Sequence, residues 1–129
     1  MRGYLLDTHA ALWAIGKPSA LSGPAHHAIL SGPNFLSVMS YWEVAIKTMK
    51  GKLDLGDPRD WWVEALDKLI ATPIMLRAEH VNALSKLPSI HQDPFDRMLI
   101  AQASAEGLAL VTMDVKVARY ASKSLKVIG

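Results

Sequence analysis

The chain has 129 residues, of which 50% are hydrophobic and 20% are charged, so we expect one globular domain over residues 1–129 and exclude a disordered chain. It contains no cysteine, which excludes disulfides and thiolate metal sites and is consistent with the reducing cytoplasm. Asp7 and His9 interrupt the apolar start well short of a signal sequence, and no run approaches the roughly 18 apolar residues of a membrane span. We therefore expect a soluble, cytoplasmic protein with no membrane partner.

The net charge gives little indication of a partner by itself. Fourteen basic and twelve acidic residues give a formal charge of +2. If four of the acids occupy one metal site, eight remain against fourteen bases, and the rest of the surface carries about +6. Such a surface suits the phosphate backbone of a nucleic acid.

Apolar segments of strand length alternate with amphipathic helical patterns along the chain. The helix expected to start at Ser40 has Glu43 at capping-box spacing, and Gly51 ends it. This alternation favours an α/β fold with a mostly parallel sheet covered by helices on both faces. The expected strands are residues 4–6, 35–40, 73–76, 108–112 and 125–128, and the expected helices are residues 9–15, 19–30, 40–50, 61–70, 78–87, 93–105 and 115–122.

Four acidic residues fall at positions that face the carboxyl edge of such a sheet. We place Asp7 and Asp114 directly after strands, and Glu43 and Asp96 in the first turns of helices. Functional groups of parallel α/β proteins collect at this edge. The four carboxylates are therefore expected to converge from separate parts of the chain.

Each of these acids also has a purely structural interpretation. Asp7 and Asp114 could cap the helices that follow them. Asp93, which precedes Pro94, is a good N-cap, and Asp96 three positions later complements the helix dipole. Glu43 could pair with Lys47 one turn on.

Convergence of the four carboxylates favours a metal site over these separate interpretations. Carboxylates a few ångströms apart raise one another's pKa unless a cation neutralises them. An all-oxygen site suits Mg²⁺ or Mn²⁺, which activate water and bind substrate phosphates. Metal-assisted phosphodiester hydrolysis is therefore the leading chemistry, since the sequence has no P-loop, nucleophile elbow, dinucleotide-binding glycine motif or catalytic cysteine.

The segments LLDTHAALW, SYWEVAIKTMKGKL, HQDPFDRMLIAQA and LVTMD, in this order, resemble the PIN-domain ribonucleases, in particular the VapC-like toxins of prokaryotic toxin–antitoxin pairs. The resemblance implies an α/β/α sandwich and a divalent-metal endoribonuclease that cleaves single-stranded or loop RNA. It also implies a VapB-like antitoxin as partner and a homodimer.

Residue by residue, the resemblance makes Asp7, Glu43, Asp96 and Asp114 the catalytic, metal-binding set. We expect Asp7, Asp96 and Asp114 to bind the metal most directly, and Glu43 to bind it or to position the attacking water. Three further residues are predicted to support these ligands from outside, namely Thr8, Asp93 and Thr112.

Basic residues near the site are candidate RNA contacts. These are Arg97, His91 and Lys47, although Arg97 could instead pair locally with an acid and Lys47 complements the helix dipole. The five histidines show no zinc-type spacing, so we do not predict a histidine metal site.

The tryptophans are assigned mainly to packing. Trp13 and Trp42 are predicted to be core residues. Trp61 and Trp62 lie on an apolar helix face, where the alternative is a surface for an antitoxin segment or a second subunit.

The alternative is that the chain is not an enzyme but a non-catalytic PIN-like module that binds RNA or protein. It would have no chemical need to keep four acids together.

Overall fold

The computed structural model describes residues 2–129, and within them five strands form a single parallel sheet in the order β3-β2-β1-β4-β5. The strands are β1 (Tyr4–Leu6), β2 (Asn34–Ser37), β3 (Ala71–Ile74), β4 (Ala109–Val111) and β5 (Val127–Ile128). The predicted α/β class with a parallel sheet is confirmed. The order places β1 at the centre, between β2 and β4.

Seven α-helices connect the strands within the same residues. They are α1 (Thr8–Gly16), α2 (Gly23–Ser31), α3 (Val38–Met49), α4 (Pro58–Lys68), α5 (Ala78–Leu84), α6 (Pro94–Glu106) and α7 (Val115–Ala118). Among residues 2–129, none of the helices has the length and hydrophobicity of a membrane span.

The core has two halves because successive residues of a strand point to opposite faces of the sheet. Leu5 and Leu110 belong to the cluster built with α6, whereas Leu6 and Val111 belong to the cluster built with α1 and α4. All four of these side chains are fully buried. The predicted three-layer α/β/α sandwich is therefore confirmed.

Helix α3 begins earlier than the sequence analysis predicted. Ser37 is its N-cap, and the Ser37 hydroxyl accepts from the Met39 amide at 3.0 Å. The predicted capping box of Ser40 and Glu43 is wrong, and Glu43 lies in the second turn of α3. The hydroxyl of Ser40 instead accepts a hydrogen bond from Thr8 at 2.9 Å, which ties α3 to α1.

Several other boundaries also differ from the predictions. Ser22, and not Ser19, caps α2. Helix α4 ends at Lys68, and strand β3 begins at Ala71, two residues before the predicted start. Ile70, the last residue of the helix predicted over 61–70, has φ 48° and is 87% exposed. Trp42 is also exposed, at 55%, so its assignment to the core is wrong.

Candidate functional site

Asp7 follows β1 directly and begins α1 at the carboxyl edge of the sheet. Its Oδ1 accepts from the Ala10 amide at 2.8 Å, so it is the N-cap of that helix. Only 4% of the residue is exposed. This burial raises the pKa of Asp7 from 3.8 to about 6; the Thr112 side chain and the Ala10 amide oppose the rise, and the Asp96 charge adds to it.

Asp96 lies in the first turn of α6, where the sequence predicted it. Asp93 caps this helix, and its Oδ1 accepts from the Phe95 and Asp96 amides at 2.8 and 3.1 Å. Burial also raises the pKa of Asp96, against a hydrogen bond from His91, and the charges of Asp93 and Glu43 raise it further. The charge of Asp96 thus interacts with those of both Asp7 and Glu43, so the three carboxylates are electrostatically coupled.

Glu43 is almost wholly buried, with 3% of its side chain exposed. Its Oε2 pairs with the Lys47 ammonium at 2.7 Å, the local interaction left open by the sequence. Within residues 2–129 its Oε1 is buried and meets no hydrogen-bond donor. A buried carboxylate oxygen with no partner is costly and indicates a site for a cation.

Asp114 is the exposed member of the set. It follows β4 by three residues and caps α7, and its Oδ1 accepts from the Lys116 amide at 2.8 Å. The ligand atoms of Asp114, Asp96 and His91 all lie within 4.8 Å of one another. A cavity of about 240 Å³ opens beside Asp114 and Asp7, and its other lining residues are His9, Trp13 and Met113.

Four chain segments thus bring their carboxylates to one edge of the sheet. The family model of the PIN domain matches residues 4–123. The chain belongs to the PIN domain family.

The proteins that this PIN domain resembles include a named ribonuclease and solved toxin–antitoxin complexes. Ribonuclease VapC22 of Mycobacterium tuberculosis is 30% identical over 115 residues, which are 88% of each chain. The solved structure of VapBC2 from Rickettsia felis, bound to a DNA fragment from its promoter, matches with a TM-score of 0.68 and 18% identity over 96% of each chain. The FitAcB structure from Neisseria gonorrhoeae matches with a TM-score of 0.63 and 18% identity, over 98% of this chain and 96% of that one.

The three residues predicted to support the ligands differ in what they touch in this PIN domain. Thr112 is buried beside Asp7, and its Oγ1 accepts from the Asp114 amide at 3.1 Å, so it links two of the four acids. Asp93 fixes the start of α6. The hydroxyl of Thr8 donates to Ser40 and joins two helices.

The three predicted RNA contacts are all engaged by protein groups. Lys47 pairs with Glu43, and His91 Nε2 lies 2.8 Å from Asp96 Oδ2. Arg97 donates to Tyr120 and to loop carbonyls, and pairs with no acid within residues 2–129.

Tyr120 supports the site, and the sequence analysis did not identify it. It lies 24 residues beyond Asp96 in the chain, yet its hydroxyl holds the loop that precedes α6. No local motif marks such a residue because its role depends on the packing of α7 against α6.

The tryptophans of α4 serve packing, as the sequence favoured. Trp61 is 6% exposed and belongs to the core. Trp62 stacks on Tyr41, with ring centroids 5.1 Å apart.

Proposed function

We propose that this protein is a divalent-metal-dependent endoribonuclease that hydrolyses phosphodiester bonds of single-stranded or loop RNA. The observation that carries the proposal is the Glu43 oxygen that is buried without a donor in the described part of the chain, close enough for its charge to act on Asp96. Unneutralised carboxylates at such a place oppose folding, and a bound cation removes that cost. The likeness to VapC22, which is named as a ribonuclease, supports the same activity.

The donor set fits a hard divalent ion. Asp7, Asp96 and Asp114 would hold it, with Glu43 as a further ligand or as the group that positions the attacking water. All four offer oxygen ligands, which Mg²⁺ and Mn²⁺ accept. When bound, such an ion polarises a phosphoryl oxygen and lowers the pKa of a bound water.

The protein's own groups prepare this arrangement. The Asp93 cap fixes the backbone at Asp96, and Thr112 connects Asp7 with the start of α7. Lys47 holds one oxygen of Glu43 through a 2.7 Å ion pair. The other Glu43 oxygen is left free of that pair and available to a cation.

Charge is the basis for proposing RNA as the substrate. With the four acids neutralised, the rest of the chain carries about +6, which favours a polyanion. Lys47, His91 and Arg97 are the candidate basic groups. RNA would have to compete for them with their present partners.

We infer that the chain is the toxin of a toxin–antitoxin pair, bound by a VapB-like antitoxin, and that it forms a homodimer. The support is its likeness to VapC22 and to the solved VapBC2 complex. We also propose that residues 1–129 act as a single nuclease domain in the cytoplasm, which the match over residues 4–123 and the lack of cysteine support.

The first test incubates purified, antitoxin-free protein with a mixture of structured and single-stranded RNA in Mg²⁺, Mn²⁺ or EDTA. Asp7→Asn and Asp96→Asn proteins are compared with Asp54→Asn, an exposed acid on the loop before α4. We expect metal-dependent cleavage by the wild type and the control, and none by the two site variants.

Two outcomes would contradict the proposal. Tight RNA binding with no cleavage in any metal would favour the non-catalytic binding module. Cleavage that persists in both site variants would mean a contaminating nuclease or a different site.

A further inference from the structure

The imidazole of His91 lies among the carboxylates. Its Nε2 is 2.8 Å from Asp96 Oδ2, and the ligand atoms of His91, Asp96 and Asp114 lie within 4.8 Å of one another. Ligands in adjacent positions on an octahedral ion, with bonds of about 2.1 Å, are roughly 3 Å apart. The spacing of the His91 and Asp96 atoms therefore suits two ligands of one ion, which would take the place of the hydrogen that now joins them.

The loop that carries His91 is held by a buried tyrosine. The amides of Ile90 and His91 donate to the Tyr120 hydroxyl at 3.1 and 2.9 Å, and this hydroxyl donates to the Pro88 carbonyl at 2.9 Å. Tyr120 is 6% exposed and belongs to the core. The backbone of His91 is thus anchored to the interior of the protein.

Arg97 holds the same loop from α6. Its Nη1 donates to the Pro88 carbonyl at 3.0 Å, to the His91 carbonyl at 3.3 Å and to the Tyr120 hydroxyl at 3.0 Å. Tyr120 therefore binds the amide of His91, and Arg97 binds its carbonyl. A loop held in this way presents a preorganised ligand.

An independent observation indicates that a cation belongs here. Glu43 is 3% exposed, and its Oε1 is buried without a hydrogen-bond donor among residues 2–129. Lys47 satisfies only the other oxygen, and the charge of Glu43 acts on Asp96, the partner of His91. The cluster therefore has unused capacity for positive charge.

We propose that His91 is a nitrogen ligand of this site and makes it prefer Mn²⁺ to Mg²⁺. This inference rests on the proposed metal-dependent nuclease. Mg²⁺ favours oxygen ligands, whereas affinity for nitrogen ligands increases along the first-row transition ions. The sequence analysis predicted no histidine metal site because it compared the spacing of histidines alone, whereas the other proposed ligands here are carboxylates.

The test uses pulsed electron paramagnetic resonance on the Mn²⁺-loaded protein with ¹⁵N-labelled histidine, together with calorimetric affinities for Mn²⁺ and Mg²⁺. We expect a nitrogen coupling in the wild type that is lost in His91→Gln. The Mn²⁺ affinity of that variant should fall at least about tenfold, and its Mg²⁺ affinity less than about threefold. The matched control is His9→Gln, the exposed histidine beside Asp7, which should keep the coupling.

A second variant distinguishes metal binding by His91 from the ordering of the loop that carries it. Tyr120→Phe keeps His91 and removes the hydroxyl that holds its loop, so we expect the coupling to persist with a severalfold weaker Mn²⁺ affinity. Thermal unfolding of each variant checks that it is folded.

The outcomes distinguish the two proposals. Mn²⁺ binding and RNA cleavage without a histidine coupling, or equal losses of Mn²⁺ and Mg²⁺ affinity in His91→Gln, would overturn the role of His91 and leave the nuclease standing. A wild-type protein that binds neither ion and cleaves no RNA would overturn both.

Discussion

Replacing Asp7 with asparagine should stabilise the metal-free protein while abolishing its activity. Burial raises the pKa of Asp7 from 3.8 to about 6, so ionisation of this group at neutral pH opposes folding. At 1.36 kcal/mol per pH unit, the difference corresponds to about 3 kcal/mol. Asparagine is an equally good N-cap and can still accept from the Ala10 amide. The substitution should therefore raise the free energy of unfolding at neutral pH by much of this amount.

The pH dependence follows from the direction of the pKa shift. Because the pKa of Asp7 is higher in the folded state, the unfolded chain loses this proton first as the pH rises. The contribution of Asp7 to the free energy of unfolding is therefore fully present below about pH 4 and lost as the pH rises through about 6. The Asp7→Asn substitution removes this loss, so its advantage should be near zero at about pH 4 and largest above about pH 7.

The assay is urea unfolding of wild-type and Asp7→Asn proteins in EDTA at several pH values, with Asp54→Asn as the control for a change in surface charge. Saturating Mg²⁺ or Mn²⁺ should then stabilise the wild type more than Asp7→Asn, since a ligand that binds only the folded state raises its stability. A variant that is less stable than the wild type at about pH 7.5, or a difference that does not change with pH, would refute the reasoning.

Three further predictions concern the ion pair, a helix end and the core. Lys47→Met removes a positive charge beside the site and the ion pair to Glu43 Oε2, and we expect the lost repulsion to outweigh the lost positioning of Glu43, so that Mg²⁺ binds severalfold more tightly by calorimetry; weaker binding would contradict this. Gly107 ends α6 with φ 68°, and Gly107→Ala should cost about 1 kcal/mol of unfolding free energy in urea because an L-residue is strained there. Leu99 is 1% exposed in the core, and Leu99→Ala should cost about 2–5 kcal/mol in the same assay; a loss below about 1 kcal/mol would contradict its place in the core.

The sequence determined the architecture because its information is local and periodic. Apolar strands alternate with helices, which predicts a covered parallel sheet, and Asp93 before Pro94 marks the start of α6 with Asp96 in its first turn. These features depend on a residue and its near neighbours. The ordered acidic motifs likewise led to the PIN family, which the family match and the relatives confirm.

Boundaries and burial were less accessible to sequence reasoning. Ser37 and Ser40 are both acceptable caps, and their different tertiary partners decide between them: Ser37 meets Gln102 of α6, whereas Ser40 meets Thr8 of α1. Trp42 has an apolar side chain but lies on the outer face of α3, where it packs edge-on against Phe95. Hydrophobicity alone cannot tell which helix face is covered.

Only the tertiary structure decided which groups meet at the edge of the sheet. It places β1 between β2 and β4, brings the ligand atom of Asp114 within 4.8 Å of those of His91 and Asp96, and leaves one oxygen of Glu43 buried without a donor in residues 2–129. It also brings the Tyr120 hydroxyl into hydrogen-bond contact with the loop before α6. Such contacts join residues far apart in the chain, and they depend on strand order and helix packing, which a local sequence pattern does not encode.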